Sequence, residues 1–207
     1  MKCTVIRQDI LENLKKEILD INTILFDKLQ NSPNFLYSTE FLKISYSENF
    51  LNDIEFLNEM SGTPNFKVRY ANMIIRDVLE QVIEFIYLLE YPELIEQFMG
   101  GNIETDDFDE DKFIEEYLQF GGKRYAGGRK RISEMASSIN EKVSVNDTLS
   151  LYDIYRILSE QCHNSYFLSN LDDIDEVETG KKTVALTCEQ LTYLMTIIDR
   201  FMEAYRK

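Results

Sequence analysis

Tyr70-Ala-Asn-Met-Ile-Ile-Arg-Asp-Val-Leu-Glu-Gln-Val-Ile-Glu-Phe-Ile-Tyr-Leu-Leu-Glu90 belongs to the most apolar stretch of the chain, Val68 to Glu90. On a helical wheel its polar groups Arg76, Asp77, Glu80, Gln81 and Glu84 gather in an arc of about 140°, and most of the remaining surface is apolar. A helix that is apolar around most of its circumference belongs in the middle of a bundle. Arg76 and Glu80 stand four residues apart on one face, and Glu84 extends that row.

The flanking sequence repeats the helical period. Ile10, Leu11, Leu14, Ile18, Ile21, Ile24, Leu25 and Leu29 predict an amphipathic helix from about Ile6 to Leu29. Asn31-Ser-Pro-Asn34 ends it, because proline disfavours helix in the residue before it. Between Phe35 and Met60 the spacing is clear only in the second half, Tyr46 to Met60, where Phe50, Leu51, Ile54, Phe56 and Leu57 recur. Ser61-Gly-Thr-Pro-Asn65 is the next break. A short apolar piece after Tyr91-Pro92 reaches Met99, where Gly100-Gly101 stops it.

Further on, a helix is expected from Lys130 to Lys142, and Asn146-Asp147-Thr148 supplies the start of another over Leu149 to Phe167. Asn170 to Thr183 reads as an exposed loop. Thr187 is placed to cap a closing helix containing Leu191, Leu194, Met195, Ile197, Ile198, Phe201 and Met202. The prediction is an all-α bundle of six or seven helices in a single domain, 1–207. Within it 1–62 form an N-terminal part, 68–170 a central bundle and 184–207 the last helix.

Composition agrees with that reading and narrows the chemistry. The chain of 207 residues is 44% hydrophobic and 12% aromatic, enough for a real core, and has only three prolines and eight glycines. Its net charge of -15 counts against general nucleic-acid binding unless basic residues are concentrated locally. The cysteines Cys3, Cys162 and Cys188 and the single histidine, His163, supply neither a common zinc cage nor a disulfide framework. The residues therefore predict no metal and no cofactor, and the cysteine usage suits a cytoplasmic protein. Met1-Lys-Cys-Thr-Val-Ile-Arg-Gln-Asp lacks a signal core, and no apolar run approaches the ~18 residues of a membrane span. Asp107, Asp109 and Asp111 imitate a calcium loop, but Lys112 stands where its glycine and Leu118 where its glutamate belong.

Two places carry candidate chemistry. Gly121-Gly-Lys-Arg-Tyr-Ala-Gly-Gly-Arg-Lys-Arg131 concentrates Lys123, Arg124, Arg129, Lys130 and Arg131, a cationic segment able to contact RNA phosphates or simply to offset the adjacent acidic run. The second place is Tyr152-Asp-Ile-Tyr-Arg-Ile-Leu-Ser-Glu-Gln-Cys-His-Asn-Ser165. Arg156 and His163 stand seven residues apart and share one helical stripe, with Tyr152 and Ser159 near it. Leu151, Ile154, Ile157, Leu158 and Cys162 read as the opposite, apolar side, which makes Cys162 a core residue.

The Arg76-Asp-Val-Leu-Glu80 block together with Tyr152 to Ser165 resembles an uncharacterised bacterial all-helical family over roughly residues 68 to 170. That family pairs an Arg-x-x-x-Glu helix with a Tyr-Arg-x-Leu-Ser-x-x-x-His helix. The second block is also similar to the HEPN superfamily of helical nucleases, with Arg156 and His163 at the longest gap its Arg-x(4–6)-His motif permits; the usual polar residue after the arginine is Ile157 here. The resemblance implies a metal-independent ribonuclease centre, commonly completed between two subunits, in toxins or phage-defence proteins.

In such a centre His163 serves as the acid/base group near neutrality, and Arg156 holds the phosphate and the charge of the transition state. Tyr152, Ser159, Arg76 and Glu80 would support them. Because one chain supplies one imidazole, a second copy is the natural complement. A structural reading stands beside this one: Arg156 and His163 form a polar seam against Arg76, Glu80 or Glu84 that fixes helix packing. A further alternative is a non-catalytic acidic protein, such as an antitoxin, an anti-defence factor or a scaffold, docking on a basic partner surface. RNA, a protein and a second copy of the chain are thus the candidate partners, and no membrane is expected.

Overall fold

The computed structural model describes residues 6–30, 35–60, 68–98, 131–140, 149–162 and 186–207. They form an all-α bundle, with no strand among the described residues. Helices α1 (Gln8–Leu29), α2 (Thr39–Met60) and α3 (Val68–Glu90) come first. A 3₁₀ turn (Pro92–Leu94) then leads into the single turn α4 (Ile95–Phe98). Helices α5 (Ile132–Asn140), α6 (151–162) and α7 (Cys188–Arg206) complete the set.

The apolar stretch Val68–Glu90 is the hub that its sequence predicts. Helix α3 packs against α2, α5 and α7, while α1 lies against α2. Ala71, Ile75, Val78, Leu79, Val82, Ile83, Phe85 and Leu88 are all buried. Three rings tie the neighbours together. Phe201 of α7 stacks on Phe50 of α2 with centroids 4.0 Å apart and lies 5.0 Å from Phe85 of α3. Burial of side chains this large supplies most of what holds the helices, about 1.5–3 kcal/mol each.

Helix α2 extends beyond the clear pattern of Tyr46 to Met60 and begins at Thr39. The Ser38 hydroxyl accepts the Phe41 N–H at 3.2 Å, and the Ser38 carbonyl accepts that of Leu42 at 3.1 Å, so Ser38 caps the helix. The apolar period is weak before Tyr46 because the buried positions there, Leu42 and Ile44, are two residues apart, and further along a core position holds Ser47. Its hydroxyl receives a hydrogen bond from the Asn22 amide at 3.1 Å. Tyr205 closes the same network by donating to Asn22 Oδ1 at 2.5 Å, which joins α1, α2 and α7 through buried polar groups. A second such link runs from Gln190 Nε2 to Asn72 Oδ1 at 2.7 Å, fastening the start of α7 to α3. Arg206 reaches back to the Glu17 carboxylate with two bonds of 2.5 and 2.9 Å.

The start of α6 differs from expectation. Residues 146–148 lie outside the described residues, and the cap is Ser150. Its hydroxyl accepts the Asp153 N–H at 3.1 Å, while the Asp153 carboxylate accepts the Ser150 N–H at 3.2 Å. Thr187 caps α7 as expected, with Gln190 closing a capping box. Helix α5 is described over Ile132–Asn140, inside the expected Lys130 to Lys142. The acidic run and the calcium-like aspartates fall outside the described residues, and among those described no helix is long and apolar enough to cross a membrane.

Candidate functional site: a polar pocket between α3 and α6

The polar arc of α3 divides in two. One part is taken up by α2: Gln81 donates to Asp53 at 2.8 Å and to Asp77 at 3.2 Å, and Tyr46 donates to Glu84 at 2.5 Å. The other part, Arg76 and Glu80, turns toward α6. Arg76 Nε donates to Glu80 Oε1 at 2.9 Å, and its guanidinium carbon lies 5.8 Å from the centre of the Tyr155 ring, within cation–π range. Burial works against the guanidinium's charge, but Glu80, Tyr155 and Cys162 outweigh it and hold the Arg76 pKa above its ordinary value.

Met73, Arg76, Asp77, Glu80 and Cys162 line an open pocket of about 220 Å³. Four of them come from one face of α3, at spacings of three, four and seven residues, as one helical stripe must. The fifth arrives because α6 buries Leu151, Ile154 and Leu158 against the core. That choice of interface leaves Tyr155 and Cys162, seven residues apart, on the shoulder nearest α3.

Two expectations need correction. Cys162 is not a core residue: it is half-buried and lines a charged pocket. The stripe that meets the Arg76/Glu80 row is Tyr155/Cys162, not the one on which Arg156 stands. Arg156 is exposed, one residue and about 100° round the helix from Tyr155. The partners proposed for it, Glu80 and Glu84, accept from Arg76 and Tyr46 instead. Of the supporting residues, Tyr152 packs half-buried against the core, and the Ser159 hydroxyl is buried with no hydrogen-bond partner among the described residues. Arg131 is exposed, and its N–H donates to Glu134 at 3.1 Å. His163, Lys123, Arg124, Arg129 and Lys130 lie outside the described residues.

The residues of the site that motif reading missed are Met73 and Asp77 in the pocket lining, Tyr155 beside Arg76, and Cys162 in the lining. The signal for the first two was the i, i+3, i+4, i+7 series ending at Glu80; for the last two it was a second seven-residue pair beside Arg156 and His163. Chemically the pocket is mixed in sign: a guanidinium with donors beyond Nε, two carboxylates and a thiol. Among the described residues no group of three His, Cys, Asp or Glu side chains converges as metal ligands. No protein-family model, curated protein or solved structure matches this chain.

Proposed function

We propose that this chain is a metal-independent ribonuclease of the HEPN kind, serving in a toxin or phage-defence setting, with Arg156 and His163 as its working pair. One observation carries the reading: Arg156 stands exposed on α6, seven residues before the only histidine of the chain, while Glu80 and Glu84 accept from Arg76 and Tyr46. Such exposure suits the role, since an arginine that meets a polynucleotide phosphate must reach solvent.

In the proposed reaction the 2′-hydroxyl of the substrate attacks the adjacent phosphorus, and His163 accepts the hydroxyl proton. The bond from phosphorus to the 5′-oxygen breaks, and a second copy of the chain protonates that oxygen, leaving a 2′,3′-cyclic phosphate and a 5′-hydroxyl. Arg156 gives paired hydrogen bonds to the non-bridging oxygens as charge builds on them. Lys123, Arg124, Arg129, Lys130 and Arg131 hold the RNA backbone through phosphate contacts.

The test is cleavage of mixed RNA by the purified protein in EDTA, with end-group analysis of the products. Loss of about 100-fold or more in His163→Ala and in Arg156→Ala is expected from removing the acid/base group and the phosphate ligand. Cleavage that persists undiminished in His163→Ala overturns the reading.

A further inference from the structure

A second surface feature, independent of any RNA chemistry, lies between α1 and α2. Lys15, Leu19, Glu48, Leu51, Asn52 and Glu55 line an open groove of about 460 Å³. Leu19 in its lining is 66% accessible, and beyond the groove Phe26, two turns along the same stripe of α1, is 48% accessible. Side chains of this size left in water at helical spacing mark a surface that a partner covers.

The charge around the groove selects the partner. Helices α1 and α2 carry ten carboxylates against four lysines. Lys15, one of the four, is engaged by Glu55 across the groove. A second copy of the chain would bring the same excess of carboxylates on these two helices, and like charges oppose that pairing. A helix with an apolar stripe flanked by lysine or arginine meets both features at once. Its apolar residues, seven apart, match the ~10.5 Å that separates Leu19 from Phe26 along α1, and its cations face Glu48 and the neighbouring acidic positions.

We infer that the α1–α2 groove is a docking site for a cationic amphipathic helix of a protein partner. Leu19 and the neighbouring Phe26 provide the contact area, and Glu48 with the carboxylate excess of the two helices provides the steering and the selection of sign. This gives the acidic character of the chain a specific place to act.

The inference is tested with the whole chain and three labelled 18-residue synthetic helices, read by fluorescence anisotropy at low salt and at 0.5 M salt. One peptide has leucines on one stripe and lysines elsewhere, the second has the same leucines with glutamates, and the third has the lysines with serines replacing leucine. The first should bind, weaken as salt rises, and bind at least about tenfold less tightly to Leu19→Ser/Phe26→Ser. The glutamate and serine peptides should bind far more weakly. Unchanged thermal melting of the double variant keeps the comparison fair, and Glu48→Lys, exposed at the rim, gives an independent loss should the double variant fold poorly. Absence of binding, equal binding of the lysine–serine peptide, or undiminished binding to the double variant each overturns the inference. So does sedimentation showing that the chain pairs with itself through this face, with the double variant monomeric.

Discussion

Replacing Tyr205 by phenylalanine should change the sign of its effect on stability as the pH is raised. The phenol is 1% exposed and donates to Asn22 Oδ1 at 2.5 Å. Burial pushes its pKa from the ordinary 10.0 up to about 12, with the Ser47 hydroxyl pulling weakly the other way. Near pH 8 the folded and unfolded chains both keep the phenolic proton, so Tyr205→Phe loses only the hydrogen bond and should be about 1 kcal/mol less stable. Above pH 10 the unfolded tyrosine releases its proton while the folded one retains it. The unfolded state then binds fewer protons, and wild-type stability falls as the pH climbs. For a shift of this size the fall reaches about 2 kcal/mol near pH 11.5. Phenylalanine has no proton to lose, so the wild-type advantage should become a deficit of about 1 kcal/mol there. Urea unfolding of both proteins at matched pH reads the difference directly. Other alkaline effects are common to both chains and cancel, among them that of Tyr193, whose pKa burial and Glu189 also raise. A difference that stays constant from pH 8 to 11.5 would refute the linkage.

Phe201→Ala, which removes the ring stacked at 4.0 Å on Phe50, should cost about 3–5 kcal/mol in a urea titration; a loss under about 1 kcal/mol would show that this ring does not tie α7 to α2 and α3. Ser150→Ala and Thr187→Ala should each cost about 1 kcal/mol, and the double variant their sum, since they cap different helices; strong non-additivity would contradict that independence. The Arg76–Glu80 pair is about a quarter exposed on each side, so Arg76→Ala should cost no more than about 1 kcal/mol, and Arg156→Ala at its exposed position no more than about 0.5 kcal/mol. A larger loss at Arg156 by thermal melting would mean that it belongs to a packed seam after all.

The all-α architecture was legible because Val68–Glu90 leaves only a narrow polar arc, and such a helix has to be surrounded. The first half of α2 was not, because its buried positions before Tyr46, Leu42 and Ile44, stand two residues apart and show no helical period. A second irregularity lies deeper in the core. Asn22 and Ser47 satisfy each other inside the core, so two polar residues occupy positions where the period calls for apolar ones. Each alone looks like a break; only their pairing across two helices makes burial tolerable. The start of α6 was ambiguous for another reason. Asn146, Asp147, Thr148 and Ser150 are all capping types, and the choice among them depends on which has a partner three residues on; Ser150 has Asp153.

The site shows the same kind of limit. A seven-residue step fixes that two side chains share a stripe, but it says nothing about which stripe faces a neighbour. Tyr155/Cys162 and Arg156/His163 have the same spacing and sit one residue apart, so periodicity treats them alike. What separates them is the burial of Leu151, Ile154 and Leu158, which turns Tyr155 toward Arg76 and leaves Arg156 in solvent. The two arginines therefore have different work. Arg76 is held by Glu80 and a tyrosine ring, and the cost of moving it is structural. Arg156 has no such obligation to Glu80 or Glu84, which take their hydrogen bonds from Arg76 and Tyr46. A seam would require Arg156 to be locked into that network. Its exposure instead leaves the guanidinium able to reorient onto an incoming phosphate at little cost to the fold, which is the property the nuclease reading asks of it.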